Sequence, residues 1–231
     1  MNVASKNTAV VSFPDSRLGV TTLACRRGGR LVFEGLDFDV GPGELLLLEG
    51  KNGSGKTTLL RLLAGYLSSV AGSINYDSKK LAARDIPHTG AFLYSGHQHG
   101  LKAVLTLREN ISSLYQLMTG CQLPDALLYD AAEAFALGRL IDHPVGYFSS
   151  GQTHRCALLR FAVLERPVWL MDEPTVGLDA DNRVRLEKLM QAHLHKGGII
   201  IAASHDPINL PHNAIDMATY EPKAAVEEIW L

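Results

Sequence analysis

Gly50-Lys51-Asn52-Gly53-Ser54-Gly55-Lys56-Thr57 sets glycines, a lysine and a hydroxyl at the spacing GxxxxGK[ST], which suits the binding of phosphate. Glycines let the backbone turn tightly and aim N–H groups at oxyanions, and a helix starting at the end of the run adds the positive end of its dipole. Lys56 would reach the outer phosphates as a point charge, and the Thr57 hydroxyl would join the shell of a magnesium ion (Mg2+). A second feature is the run Pro167 to Pro174, PVWLMDEP, in which an apolar stretch delivers two adjacent carboxylates, Asp172 and Glu173. Two neighbouring acids can divide the work of phosphoryl transfer to water. Asp172 would hold the metal's water shell, and Glu173 would accept a proton from the water attacking the terminal phosphate. An apolar run ending in Asp-Glu-Pro is by itself an ordinary strand entering a solvated turn; beside a phosphate loop it names an NTPase.

These residues need elements that bring them together. Glu44 to Glu49 holds four consecutive leucines, the pattern of a strand buried on both faces, and Lys56 to Tyr66 shows helical leucine spacing. The phosphate loop therefore sits between strand and helix. Ala91 to Tyr94, Val168 to Met171 and Ile199 to Ala203 predict further strands of a parallel core, at whose carboxyl ends active sites form. Val20 to Cys25 and Leu36 to Val40, the second followed by the turn Gly41-Pro42-Gly43, predict an antiparallel entry portion. Thr106 to Thr119, Pro124 to Leu137 and Gln152 to Leu164 have helical patterns and no strand signal, so a helical insertion is expected in the middle third. Residues 1–12 and 221–231 have weak patterns, expected as edge strands or loose termini.

Composition narrows the function classes. A chain of 231 residues with 46% hydrophobic content can fill one domain with an ample core. The net charge of −2 provides no long-range positive field for non-specific nucleic-acid binding, so any anion site must be local and no nucleic-acid partner is expected. The longest apolar runs, Leu45 to Leu48 and Gly198 to Ala203, fall far short of a membrane-spanning helix. The stretch Met1 to Val11 lacks the pattern of a secretory signal, so a cytosolic location is expected. Cys25, Cys121 and Cys156 have no close spacing and are expected to be small buried or half-buried side chains, not a disulfide or zinc framework.

Phe148-Ser149-Ser150-Gly151-Gln152, standing before a helical run and shortly ahead of Asp172, resembles the LSGGQ signature of the ABC ATPases. The other marks of that family follow in order: Gln98, Asp179 in Gly177-Leu178-Asp179, and His205 in Ala203-Ser204-His205-Asp206. The resemblance implies an α/β fold, an ABC-type P-loop nucleotide-binding domain with a mostly parallel core sheet, an antiparallel β portion and a helical insertion. The domain would span 1–231, with the core at about 13–98 and 166–220 and the insertion at about 99–165. It further implies that ATP is held by the loop through Thr58 and sandwiched against Ser149, Gly151 and Gln152 of a second copy, so that catalysis needs a head-to-tail homodimer. Gln98 would contact metal and attacking water, His205 would orient the γ-phosphate, and Asp179 would lie at the dimer interface, besides serving as a helix N-cap. Three positions depart from the family pattern. Arg27 stands where an aromatic residue commonly stacks on adenine, as a stacking guanidinium or a solvated side chain, while Phe148 and Ser150 replace leucine and glycine in the signature.

Tyr94-Ser95-Gly96-His97-Gln98-His99-Gly100-Leu101-Lys102, followed by Leu105-Thr106 and Glu109-Asn110, is similar to the cytochrome c maturation ATP-binding family, the haem-exporter ATPases called CcmA. That resemblance implies a peripheral subunit on the cytoplasmic side of the inner membrane. It would work with a CcmB-like membrane protein, with CcmC and CcmD as further members, to release the haem-loaded chaperone CcmE. His97 and His99 are expected to be exposed loop histidines and not haem ligands, and His99, Leu101 and Lys102 to form the surface on which the membrane subunit docks. Another small-molecule or lipid transporter would keep every ATP residue. A soluble ABC protein acting on nucleic acid or ribosomes would need a long coiled-coil insertion or a second nucleotide-binding half, for which the chain has no sequence, and a domain that binds without hydrolysing is disfavoured by Glu173 and His205.

Overall fold

The computed structural model describes residues 12–13 and 16–222. The chain opens with a long antiparallel hairpin, β1 (Leu18–Arg27) and β2 (Arg30–Val40), turning at Gly28-Gly29. Then come β3 (Leu45–Glu49), α1 (Lys56–Leu63), β4 (Ala71–Tyr76), β5 (Lys79–Leu81) and β6 (Phe92–Ser95). Three helices follow in sequence, α2 (Leu107–Thr119), α3 (Asp125–Ala134) and α4 (Ser150–Val163). The chain then returns through β7 (Val168–Asp172), α5 (Ala180–His195), β8 (Ile199–Ala203) and β9 (Asn213–Asp216).

The strands form two sheets: an antiparallel one in the order β2-β1-β4-β5, and a parallel one in the order β6-β7-β8-β3-β9. Side chains on a strand alternate between faces. Leu45 and Leu47 of β3, Trp169 and Met171 of β7, and Ile200 and Ala202 of β8 enter one core, shared with α2 to α5. Leu46 and Leu48, Val168 and Leu170, Ile199 and Ile201 enter the other, shared with α1 and the antiparallel sheet. Both faces of the parallel sheet are therefore buried, the physical reason its strands read as unbroken apolar runs. Among the described residues no helix is long and apolar enough to cross a membrane.

The structure differs from expectation in several places. The helix expected to reach Tyr66 ends at Leu63, because Gly65 takes φ 81 and stops the helical pattern. The helices expected over Pro124 to Leu137 and Gln152 to Leu164 run Asp125–Ala134 and Ser150–Val163, and β1 and β2 extend well beyond the expected stretches. Strands β4, β5 and β9 are new; most of their residues are exposed or half-exposed, so they lack the apolar alternation that marks a strand in sequence. Cys25 and Cys156 are buried as expected, whereas Cys121 is exposed, just past the glycine that caps α2. Nearly all of the two terminal stretches expected as edge strands or loose ends lies outside the described residues.

Candidate active site

In the parallel sheet β3, β8 and β7 are neighbours, so the segments leaving their carboxyl ends meet along one edge. The phosphate loop leaves β3, Asp172 ends β7 with Glu173 directly after it, and His205 follows β8. A cavity of about 390 Å3 opens where they meet, and its walls include Lys56, Thr57, Thr58, Asp172, Glu173 and His205. Asn52, Gly53 and Gly55 of the loop also face it.

The loop is built for an anion. Gly50 and Gly55 adopt φ 124 and 102, a region that disfavours other residues, and a Cβ on Gly55 would lie 3.0 Å from Val32 Cγ1. Gly55 caps α1 with no side-chain hydrogen bond, so the helix presents its backbone N–H groups and dipole to the cavity. Lys56 is buried, and its ammonium donates to the carbonyls of Gly50 (2.5 Å) and Lys51 (3.1 Å). Elsewhere in the loop, Lys51 pairs with Glu221 at 3.3 Å, and the buried Ser54 hydroxyl has no partner among the described residues.

The acids are set differently. Thr57 Oγ1 donates to Asp172 Oδ1 at 3.0 Å, bringing a hydroxyl and a carboxylate together at the cavity floor. Burial raises the Asp172 pKa, an effect opposed by the Thr57 hydrogen bond and by Arg61, His97 and Lys56. This hard-oxygen pair fits magnesium, which takes one or two protein ligands and completes its shell with phosphate and water; among the described residues no three His, Cys, Asp or Glu groups converge to hold a metal by themselves. Glu173 has φ 54, a conformation uncommon for any residue but glycine. Its N–H donates to Ala203 O at 2.8 Å, and its carboxylate accepts from the His205 N–H at 3.1 Å and lies 3.5 Å from His205 Nε2. His205 Nε2 is also 2.7 Å from Asn52 Oδ1, so Glu173, His205 and the phosphate loop are linked across the cavity mouth.

Other expected site residues lie apart. His97, not Gln98, lines the phosphate cavity. Gln98 lines a neighbouring cavity of about 520 Å3 with Arg27, Arg61, Arg160, Tyr66 and Tyr94. No signal in the sequence separates His97 from Gln98; the turn of the loop decides it. His99 is not an exposed loop histidine: it is half-buried, with its ring centroid 5.0 Å from that of His154 in an edge-on arrangement. Leu101 packs against the core, which leaves Lys102 as the exposed member of the three residues expected to dock a partner. The Ser149 hydroxyl accepts from the Gln152 N–H at 3.2 Å and the Ser149 N–H donates to Gln152 Oε1 at 2.8 Å, a reciprocal cap that starts α4. Ser149, Gly151 and Gln152 do not line the phosphate cavity of their own chain. Asp179 caps α5 through the Asn182 N–H at 2.9 Å, and that bond holds its carboxyl below the usual range.

A strand-loop-helix phosphate cradle facing an acid pair at the ends of adjacent parallel strands defines a P-loop nucleotide hydrolase. Residues 33–176 match the ABC transporter family, to which this chain belongs. Among solved structures, an ABC transporter ATP-binding protein from Pyrococcus furiosus shares the fold with TM-score 0.78 at 21% identity, covering 89% of this chain and all of that one. The ATP-binding subunit of an ABC transporter superposes with TM-score 0.71 at 28% identity, covering 81% of this chain and 79% of that one. Among curated proteins, the cytochrome c biogenesis ATP-binding export protein CcmA of Rhodopseudomonas palustris (strain HaA2) is 41% identical over 194 residues, 84% of this chain and 94% of its own. The same-named protein of Ruegeria pomeroyi is 40% identical over 208 residues, 90% of this chain and 94% of its own. Within the ABC transporters, the chain belongs to the CcmA family.

Proposed function

We propose that this chain is the ATP-binding and ATP-hydrolysing subunit of the ABC-type haem-export machinery of cytochrome c biogenesis. The supporting observation is the convergence of Lys56, Thr57, Asp172, Glu173 and His205 on one cavity in a chain about 40% identical to CcmA proteins over most of its length. ATP enters with its phosphates on the N-terminus of α1, where Lys56 leaves the loop carbonyls to meet phosphate oxygens. Thr57 and Asp172 are the residues that would hold magnesium, which supplies charge neutralisation on the phosphates. Glu173 takes the proton of the attacking water, and His205, 3.5 Å from that carboxylate, fixes the water and the terminal phosphate.

Ser149, Gly151 and Gln152 stand outside their own chain's cavity, which suits a role on the nucleotide of a second copy and hence a head-to-tail homodimer. Gln98 and Asp179 are assigned to the water and to the dimer interface in that closed state. The partners are a CcmB-like membrane subunit, with CcmC, CcmD and the chaperone CcmE, at the cytoplasmic face of the inner membrane. Lys102 is exposed, and among the described residues the cavity beside Gln98 is walled by three arginines and no carboxylate. Both suit a membrane subunit that presents acidic side chains. Affinity purification of the full chain from its own membranes tests the proposal: co-purification of a CcmB-like protein and loss of haem-stained c-type cytochromes on deletion are expected. Normal cytochromes in the deletion strain would assign the subunit to another cargo.

A further inference from the structure

We infer that His154, on the helix that begins with the signature serine, is a positioning residue that holds the Glu173 carboxylate in its working orientation through the carbonyl of Pro174. The inference rests on the reading of Glu173 as the general base.

His154 Nε2 lies 2.8 Å from Pro174 O. A carbonyl only accepts, so Nε2 bears the proton and donates it. Pro174 is buried, and its carbonyl would be left without this donor if the imidazole were removed. The residue held in this way follows directly on Glu173, whose φ of 54 is a conformation that persists only when its surroundings over-determine it. The tethers are visible: Glu173 N–H to Ala203 O at 2.8 Å, Thr175 Oγ1 to Ser204 Oγ at 2.9 Å, and His154 to Pro174 O. The first two bind the turn to the end of β8. The third binds it to α4, whose first residues are the signature.

The same helix is tied to the loop that follows β6. Arg160 donates to the carbonyls of Tyr94, at 3.0 Å, and of His99. The His99 ring meets the His154 ring edge-on. One helix thus joins the signature, the Gln98 loop and the turn of the base, with His154 as the contact to that turn. A shift of α4 on dimer closure would pass through this hydrogen bond to Glu173.

Three variants of the full chain separate this role from packing. His154→Phe keeps a planar ring against His99 and loses the donor; we expect kcat to fall about tenfold while KM for ATP stays within about twofold. His154→Gln retains an N–H donor and should restore most of kcat. In a Glu173→Gln background, where no base remains to be positioned, His154→Phe should leave the residual single-turnover rate unchanged. A His154→Phe protein with wild-type kcat overturns the inference. So does one whose kcat loss Gln does not rescue and which melts at lower temperature, since that pattern is packing alone. If Glu173→Gln itself hydrolyses ATP at the wild-type rate, the assignment of the base fails, independently of what the His154 variants do.

Discussion

Lys56 is 7% exposed, and its ammonium is already fixed over the loop by two carbonyls, so phosphate binding exchanges one set of acceptors for another without first ordering a free side chain. Replacing it with alanine removes the only ammonium that lines the cavity among the described residues. A charged hydrogen bond contributes about 1.5 to 3 kcal/mol, so nucleotide titration of Lys56→Ala should show ATP affinity reduced by roughly 10- to 100-fold. Glu173, proposed as the general base, would meet water and not phosphate. Glu173→Gln keeps the side-chain shape and the contact with the His205 N–H but cannot take a proton, so hydrolysis should fall by roughly 10² to 10⁴-fold with ATP binding preserved. A fully active Glu173→Gln protein would place the base elsewhere.

At the scale of elements, helix α4 begins with a capping box and α5 ends against the sheet. Ser149→Ala removes the side-chain half of the Ser149–Gln152 cap, at a cost of about 1 kcal/mol, and should lower the melting temperature by roughly 2 to 4 °C. A far larger loss of hydrolysis than of stability would show that the hydroxyl also meets nucleotide. On α5, His193 lies stacked on Trp169 of β7, with ring centroids 3.8 Å apart, and donates Nε2–H to Pro167 O at 3.2 Å. Burial pushes its pKa down from 6.5 to about 4. The fold therefore favours the neutral ring: this contribution is full above pH 6.5 and is lost as pH falls toward 4, because the unfolded chain takes up the proton first. The difference amounts to roughly 3 kcal/mol. Urea unfolding should show stability falling between pH 7 and 4.5, and His193→Phe, which keeps a ring against Trp169, should flatten that slope.

For the whole molecule, the charge balance matters more than any one pair. With a net charge of −2 the chain has no broad attraction to a membrane surface, so the proposed association would come from local contacts. Lys102 is exposed, and its segment is held rigid by Asn110, which accepts from the Lys102 N–H at 2.8 Å and donates to its carbonyl at 3.0 Å. Lys102→Glu reverses the charge without touching the phosphate cavity. Basal hydrolysis should stay within about twofold of wild type, while co-purification of the membrane subunit and haem-stained c-type cytochromes are lost. A normal complex with normal cytochromes in a strain carrying only this variant would move the docking surface away from Lys102.

The phosphate loop and the acid pair were legible in the residues because their chemistry is local: glycines that allow one backbone path, a lysine and a hydroxyl at fixed offsets, two acids at the end of an apolar strand. The parallel strands were legible because burial on both faces leaves continuous apolar runs. The exposed strands β4, β5 and β9 were not, because hydrogen bonds to a neighbouring strand leave no pattern in exposed side chains. Which way loop side chains turn was also decided by tertiary structure. Arg160, far along the chain, holds the carbonyls of Tyr94 and His99, and with the loop held there His97 lines the phosphate-loop cavity while Gln98 lines the arginine-lined one. The bond from His154 to Pro174 is of the same kind. Spacing along the chain specifies the chemistry that one loop can perform; contacts between distant segments specify which of its residues face that chemistry.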